Sequence, residues 1–190
     1  MKRAAKIVLL LLVVLPLVAM GAGTVLASGV LHPMKKPLTP EQAAQADEAL
    51  ARVHASREDF DVRTEDNAVL RGWKARPPQP NGDWVLLFHG VSDNRVGVMG
   101  HAEFLLRNGY SVAMMDARAH GSSGGEMPTY GWTERHDTRA IADAVFATEK
   151  VHCFFLLGES MGGSIALQAA AADPRVAGVV AESAFANPVV

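Results

Sequence analysis

Cys153-Phe154-Phe155-Leu156-Leu157-Gly158-Glu159-Ser160-Met161-Gly162 decides how this chain is read. An apolar run ends on the pattern G-x-S-x-G, and small residues from Gly163 to Ala172 follow it. A buried strand, a tight turn and a helix, in that order, set a serine at the apex of a strained turn with its hydroxyl clear of the backbone. Gly158 and Gly162 flank that apex because strand and helix crowd it. The pentapeptide alone is a weak signal, equally at home in a Gly-rich turn with a solvated serine. Its context is what gives Ser160 weight as a nucleophile.

Working towards the N-terminus, the same strand and helix punctuation repeats. Thr133 to Lys150 reads as a helix with Glu134 and Asp137 in its first turn, where the helix dipole favours acids. Val151 to Leu157 is the strand that feeds the serine turn. Asp116 to Trp132 is a Gly/Ser-rich loop, and Tyr110 to Met115 is a buried strand before it. Residues 95–107 read as a helix stopped by Asn108-Gly109. Trp84 to Phe88 is a continuous apolar run, as in a strand covered on both faces of a parallel sheet. Phe60 to Thr64 and Val69 to Trp73 alternate with period two around Asp66-Asn67, which reads as a hairpin. Glu41 to Arg57 reads as a short, weakly amphipathic helix begun by Thr39-Pro40. Beyond the serine turn, Val176 to Ala181 is a last buried strand. Strands alternating with helices of this length predict an α/β fold: a doubly wound, mostly parallel sheet.

Composition is compatible with one such domain. Of 190 residues, 49% are hydrophobic and 20% are charged. A net charge of -2, with no basic run interleaved with aromatics, gives no sign of a nucleic-acid partner. The single cysteine, Cys153, excludes an internal disulfide and reads as a buried structural thiol. No H-E-x-x-H or C-x-x-C spacing occurs and no G-x-G-x-x-G follows the first buried strand, so neither a metal nor a dinucleotide cofactor is expected.

The first 31 residues stand apart. Lys2, Arg3 and Lys6 precede an uncharged stretch from Ile7 to Leu31. Basic residues before a long apolar run mark a secretory signal or a membrane anchor. Val25-Leu26-Ala27 offers a cleavage site, which would leave a secreted or periplasmic protein. The stretch is long enough to span a bilayer, and an uncleaved anchor with the rest of the chain outside the cytoplasm is the preferred reading. The expected organisation is a signal or anchor over 1–31, a linker and short helix over 32–59, and the α/β domain over 60–190.

Three segments leave the carboxyl ends of buried strands, where open parallel sheets build their sites. They are His89-Gly90-Val91, then Asp116-Ala117-Arg118-Ala119-His120-Gly121-Ser122-Ser123, then the turn at Ser160. With these motifs, the chain from Phe60 onward resembles the α/β-hydrolase superfamily. It is most similar to the branch of serine-aminopeptidase-like and monoacylglycerol-lipase-like hydrolases, and with its apolar N-terminus to the membrane-attached bacterial members.

The resemblance implies that Ser160 is the acyl-accepting nucleophile, with the backbone N–H groups of Met161 and Val91 as the oxyanion hole. It implies that His89, Gly90, Asp116, Arg118, His120, Gly158 and Gly162 shape the site. The substrate implied is a small-molecule ester or a peptide, with no cofactor. In the superfamily the acid follows the seventh strand and the histidine the eighth. No histidine follows Ser160 here. Asp173 falls at the end of the helix after the serine, and Glu182 follows the sixth strand but precedes the acid's usual position. No triad acid or histidine is therefore assigned, and the sequence reads as a C-terminally truncated hydrolase. The alternative is an inactive, membrane-attached fragment or binding module.

Overall fold

A computed structural model describes residues 2–185. The chain divides into two compact units, Met1–Pro33 and Met34–Val190. The first is a single helix, α1 (Lys2–Leu31), with Pro16 inside it. Within it Arg3–Gly29 is a 27-residue candidate span containing an 18-residue window of mean hydropathy 2.6. About 20 such residues cross the hydrocarbon core of a bilayer. A signal sequence passes the same test.

The second unit is built on one six-stranded sheet. Its elements are α2 (Pro40–Arg52), β1 (Ser56–Arg63), β2 (Val69–Arg76), β3 (Trp84–Phe88), α3 (Met99–Arg107), β4 (Ser111–Met115), α4 (Glu134–Thr148), β5 (Phe154–Glu159), α5 (Met161–Ala172) and β6 (Val176–Glu182). The strand order is β1-β2-β4-β3-β5-β6. β1 and β2 form the expected antiparallel hairpin, and β2 also runs antiparallel to β4. The other neighbours, β4-β3, β3-β5 and β5-β6, are parallel; α3 joins β3 to β4, α4 joins β4 to β5 and α5 joins β5 to β6.

The apolar runs of β3, β4 and β5 are explained by burial on both faces. Leu86, Phe88, Ala113, Met115 and Leu156 pack with Ile141 and Val145 of α4 and Ile165 and Ala169 of α5. The alternate residues, Val85, Leu87, Val112 and Met114, pack with Ala46 and Leu50 of α2 and Ala102 and Leu106 of α3. The period-two alternation of a strand divides one sequence between two cores.

Several boundaries differ from the sequence reading. The helix expected to reach Arg57 ends at Arg52, because His54 turns left-handed (φ 54°) and the chain enters β1 at Ser56. β1 starts four residues before Phe60, carried by the ladder Ser56↔Arg76 to Asp59↔Trp73 although its side chains there are polar. The helix over 95–107 is a 3-10 turn, Arg95–Val98, followed by α3, and the Asn94 side chain accepts from the Val96 N–H at 3.0 Å to cap it. β5 begins at Phe154 rather than Val151, since the N–H groups of His152 and Cys153 turn to the Gly82 carbonyl and the Asp83 carboxylate. Cys153 is only half-buried. The helix expected from Gly163 starts at once after Ser160. β6 is not the buried strand expected: Val179 is 36% and Val180 52% exposed, because among the described residues only β5 pairs with it.

Candidate active site

Ser160 ends β5 and starts α5, with φ 53° and ψ −114°. A left-handed conformation at a non-glycine residue is strained and must be held by its surroundings. Three features hold it. The Ser160 N–H donates to the Glu182 carbonyl at 2.8 Å, fixing the turn to β6. A Cβ at Gly158 would run into the Gly162 backbone. A Cβ at Gly162 would run into the Phe88 backbone. Both glycines are therefore demanded by close approach. α5 begins at Met161, so the first N–H groups of that helix have no intrahelical acceptor and face the space beside Ser160.

The loop leaving β3 meets this turn. Phe88 is the register partner of Gly158, so His89, Gly90 and Val91 emerge beside Glu159 and Ser160. A Cβ on Gly90 would stand 3.8 Å from the Ser160 Cβ. Ser92, next in the chain, is also left-handed (φ 56°). Val91 is 43% exposed at this rim.

His89 is fully buried and both its nitrogens are engaged. Nε2 accepts from the Ala117 N–H at 3.0 Å, so the proton sits on Nδ1, which donates to the Gly90 carbonyl at 2.7 Å. The imidazole thus joins the β3 loop to the β4 loop. His120 packs edge-on against it, ring centres 5.3 Å apart. His120 Nδ1 pairs with the Arg118 carbonyl at 2.8 Å, and its buried Nε2 has no partner among the described residues. Burial pushes the pKa of both histidines down, so both rings are neutral at pH 7. Ser160 Oγ has no hydrogen-bond partner among the described residues, and neither ring reaches it.

The remaining motif residues are anchors. Asp116, fully buried, accepts from the Arg95 N–H at 2.8 Å, from Arg95 Nε at 3.1 Å and Nη2 at 2.7 Å, and from the Ser122 N–H at 2.7 Å. One carboxylate thereby ties the loop after β3 to the loop after β4. Arg118 forks onto Asp137 of α4 at 2.9 and 2.6 Å and reaches Asp66 of the hairpin turn at 2.6 Å. These carboxylates, Asp137 first, raise the Arg118 pKa. Burial pushes the Asp137 carboxyl up, and the Arg118 guanidinium opposes that shift.

The sequence reading missed three anchoring residues, Arg95, Asn94 and His101, and gave Glu134 only a place at the helix dipole. Glu134 does more than favour the helix dipole. Its buried carboxylate accepts from the Thr129 N–H at 2.7 Å, the Thr129 hydroxyl at 2.6 Å and the Gly131 N–H at 2.8 Å, folding the loop ahead of α4. His101 Nε2 stands 3.1 Å from a Glu182 carboxylate oxygen, next to the carbonyl that holds Ser160. Asp173 pairs with Arg175 at the far end of α5. One cluster could geometrically bind a metal, Asp83, His152 and Cys153, with donor atoms within 4.8 Å of one another. It lies at the opposite end of the sheet from Ser160, and internal hydrogen bonds to Asp83 account for it.

Residues 79–189, more than half of the chain, match the family described as serine aminopeptidase, S33. The chain belongs to this S33 serine aminopeptidase family. The uncharacterized protein YqkD of Bacillus subtilis is 30% identical over 91 residues, covering 47% of this chain and 30% of YqkD. The esterase Pf2001 of Pyrococcus furiosus superposes with a TM-score of 0.67 at 28% identity, covering 82% of this chain and 56% of the esterase. XC6422 of Xanthomonas campestris, described as an α/β serine hydrolase without a lid, gives a TM-score of 0.54 at 25% identity over 62% of this chain and 56% of its own. The S33 chain thus has the α/β-hydrolase fold, and it spans little more than half the length of these solved relatives and under a third of YqkD.

Proposed function

We propose that the chain carries the nucleophile and oxyanion loop of a serine hydrolase acting on carboxylic esters or peptides. The observation that carries this is Ser160, held left-handed between β5 and α5 with the Gly90 loop against its Cβ. In the reaction Ser160 Oγ attacks the carbonyl carbon, giving up its proton to a base. The tetrahedral oxyanion receives the N–H groups of Met161 and Val91. The alcohol or amine leaves with a proton, and water then hydrolyses the acyl-serine. Removal of one such donor costs about 3 kcal/mol in the transition state. His89 fixes the oxyanion loop and is not the base, since both its nitrogens are spent on backbone. The family places acid and base on strands later than β6, and no residue of this sequence is given those roles.

The apolar helix α1 is read as a membrane anchor, with Lys2, Arg3 and Lys6 on the cytoplasmic side and the hydrolase unit outside. The test of the catalytic reading is hydrolysis of an activated ester by wild type and Ser160→Ala. In a protein that also carries the base, the variant is expected to lose roughly three orders of magnitude or more in rate. Equal rates would reject Ser160 as nucleophile. Absence of activity in both would favour the inactive, membrane-attached fragment.

A further inference from the structure

The hydrolase unit begins at Met34, and its first residues are pinned to the same rim as Ser160. Lys35 Nζ donates to the Ser123 carbonyl at 3.0 Å, in the loop leaving β4. Buried Asn94, in the loop leaving β3, donates through Nδ2 to the Lys36 carbonyl and to Gln42 Oε1, both at 3.2 Å. The chain therefore enters this unit at the carboxyl ends of the strands, the end that carries the serine turn. The topology accounts for this: β1 starts at the amino ends of the parallel strands, and α2, which ends just before β1, runs back from the carboxyl ends.

That rim also exposes apolar side chains from separate segments. Met34 is 73% exposed, Val91 43%, Met127 38% and Trp132 65%. They come from the entry segment, the loop after β3 and the loop before α4. Among the described residues, the unit's other exposed large apolar side chains lie on α3, α4, α5 and β6. The Trp132 ring carries the Arg135 guanidinium 3.9 Å from its centre. The amphipathic ring of Trp is enriched where hydrocarbon meets lipid headgroups. Exposed Lys36 stands near, but so do Glu126 and Glu159, so charge alone selects no partner and the apolar side chains carry the case.

We infer that this rim docks on a bilayer surface, with Trp132, Met127, Val91 and Met34 set at headgroup depth. The inference rests on reading α1 as an anchor, not on the reactivity of Ser160. An apolar helix immediately before Met34 supplies the partner, because an anchored chain that enters its folded unit at this rim holds the rim to the membrane. An ester or peptide reaching Ser160 would then arrive along the membrane.

The test uses the full chain in phosphatidylcholine–phosphatidylglycerol vesicles whose acyl chains carry bromine, a short-range quencher of indole. Trp73 and Trp84 are each 2% exposed within the core, so the emission difference between wild type and Trp132→Phe reports Trp132. Most of that difference is expected to be lost in brominated vesicles and retained in unbrominated ones, while the variant's residual emission is the same in both. A chain that floats with the vesicles but keeps its full Trp132 emission overturns the docking. A chain that does not float overturns the anchor and the docking together. Neither result bears on whether Ser160 acylates.

Discussion

At the residue scale, the site is framed by buried charges and neutral imidazoles rather than by its nucleophile. Asp116→Ala would leave the Arg95 guanidinium, its side chain 6% exposed, without its carboxylate. Breaking a buried pair from one side typically costs about 3–5 kcal/mol, so the urea midpoint should fall steeply, and an unchanged midpoint would contradict this role. His89 and His120 give a pH signature. Their folded pKa values lie below the ordinary histidine value of 6.5, with burial as the main cause. Unfolded chains therefore bind more protons below that pH, and stability is complete above it and lost as pH falls through it. Urea midpoints measured from pH 8 to pH 5 should decline below about pH 6.5, and His120→Asn should flatten that decline. Asp116, Arg118 and the two histidines were legible from their place after apolar strands. Arg95 was not, because its partner lies 21 residues away and nothing in a helix-like run marks a buried arginine.

At the element scale, the turn around Ser160 depends on two contacts that no side chain can share. Gly162→Ala drives a Cβ into the Phe88 backbone, which cannot yield without moving β3. The expected cost exceeds the roughly 1–3 kcal/mol of ordinary overpacking, read as a lowered thermal midpoint. The start of α2 offers a milder case. Thr39 accepts from the Gln42 N–H and Gln42 returns a side-chain bond to the Thr39 N–H, each at 3.2 Å. Thr39→Ala should cost about 1 kcal/mol in urea unfolding. That helix start was visible as Thr-Pro, and the three central strands as apolar runs. The start of β1 was not, since polar residues 56–59 are held by the β2 ladder and carry no alternation of their own.

At the scale of the whole molecule, sequence punctuation gave strands and helices in order but not the sheet order, which depends on which crossovers pack on which face. The parallel centre followed from two-sided burial of β3 and β4. The exposure of β6 did not, because Val176 to Ala181 reads as apolar whether or not neighbours cover it. An apolar groove of about 310 Å³ between Leu105, Tyr110, Phe155 and Val179 marks that less covered side. The fold nevertheless brings three sequence motifs to one rim, with Ser160 at its centre. Labelling with a fluorophosphonate, followed by mass spectrometry of the adduct, tests this most directly. Modification of the intact protein at Ser160, abolished in Ser160→Ala, is the expected result. An unmodified Ser160 in folded protein, or an adduct placed elsewhere, would contradict it.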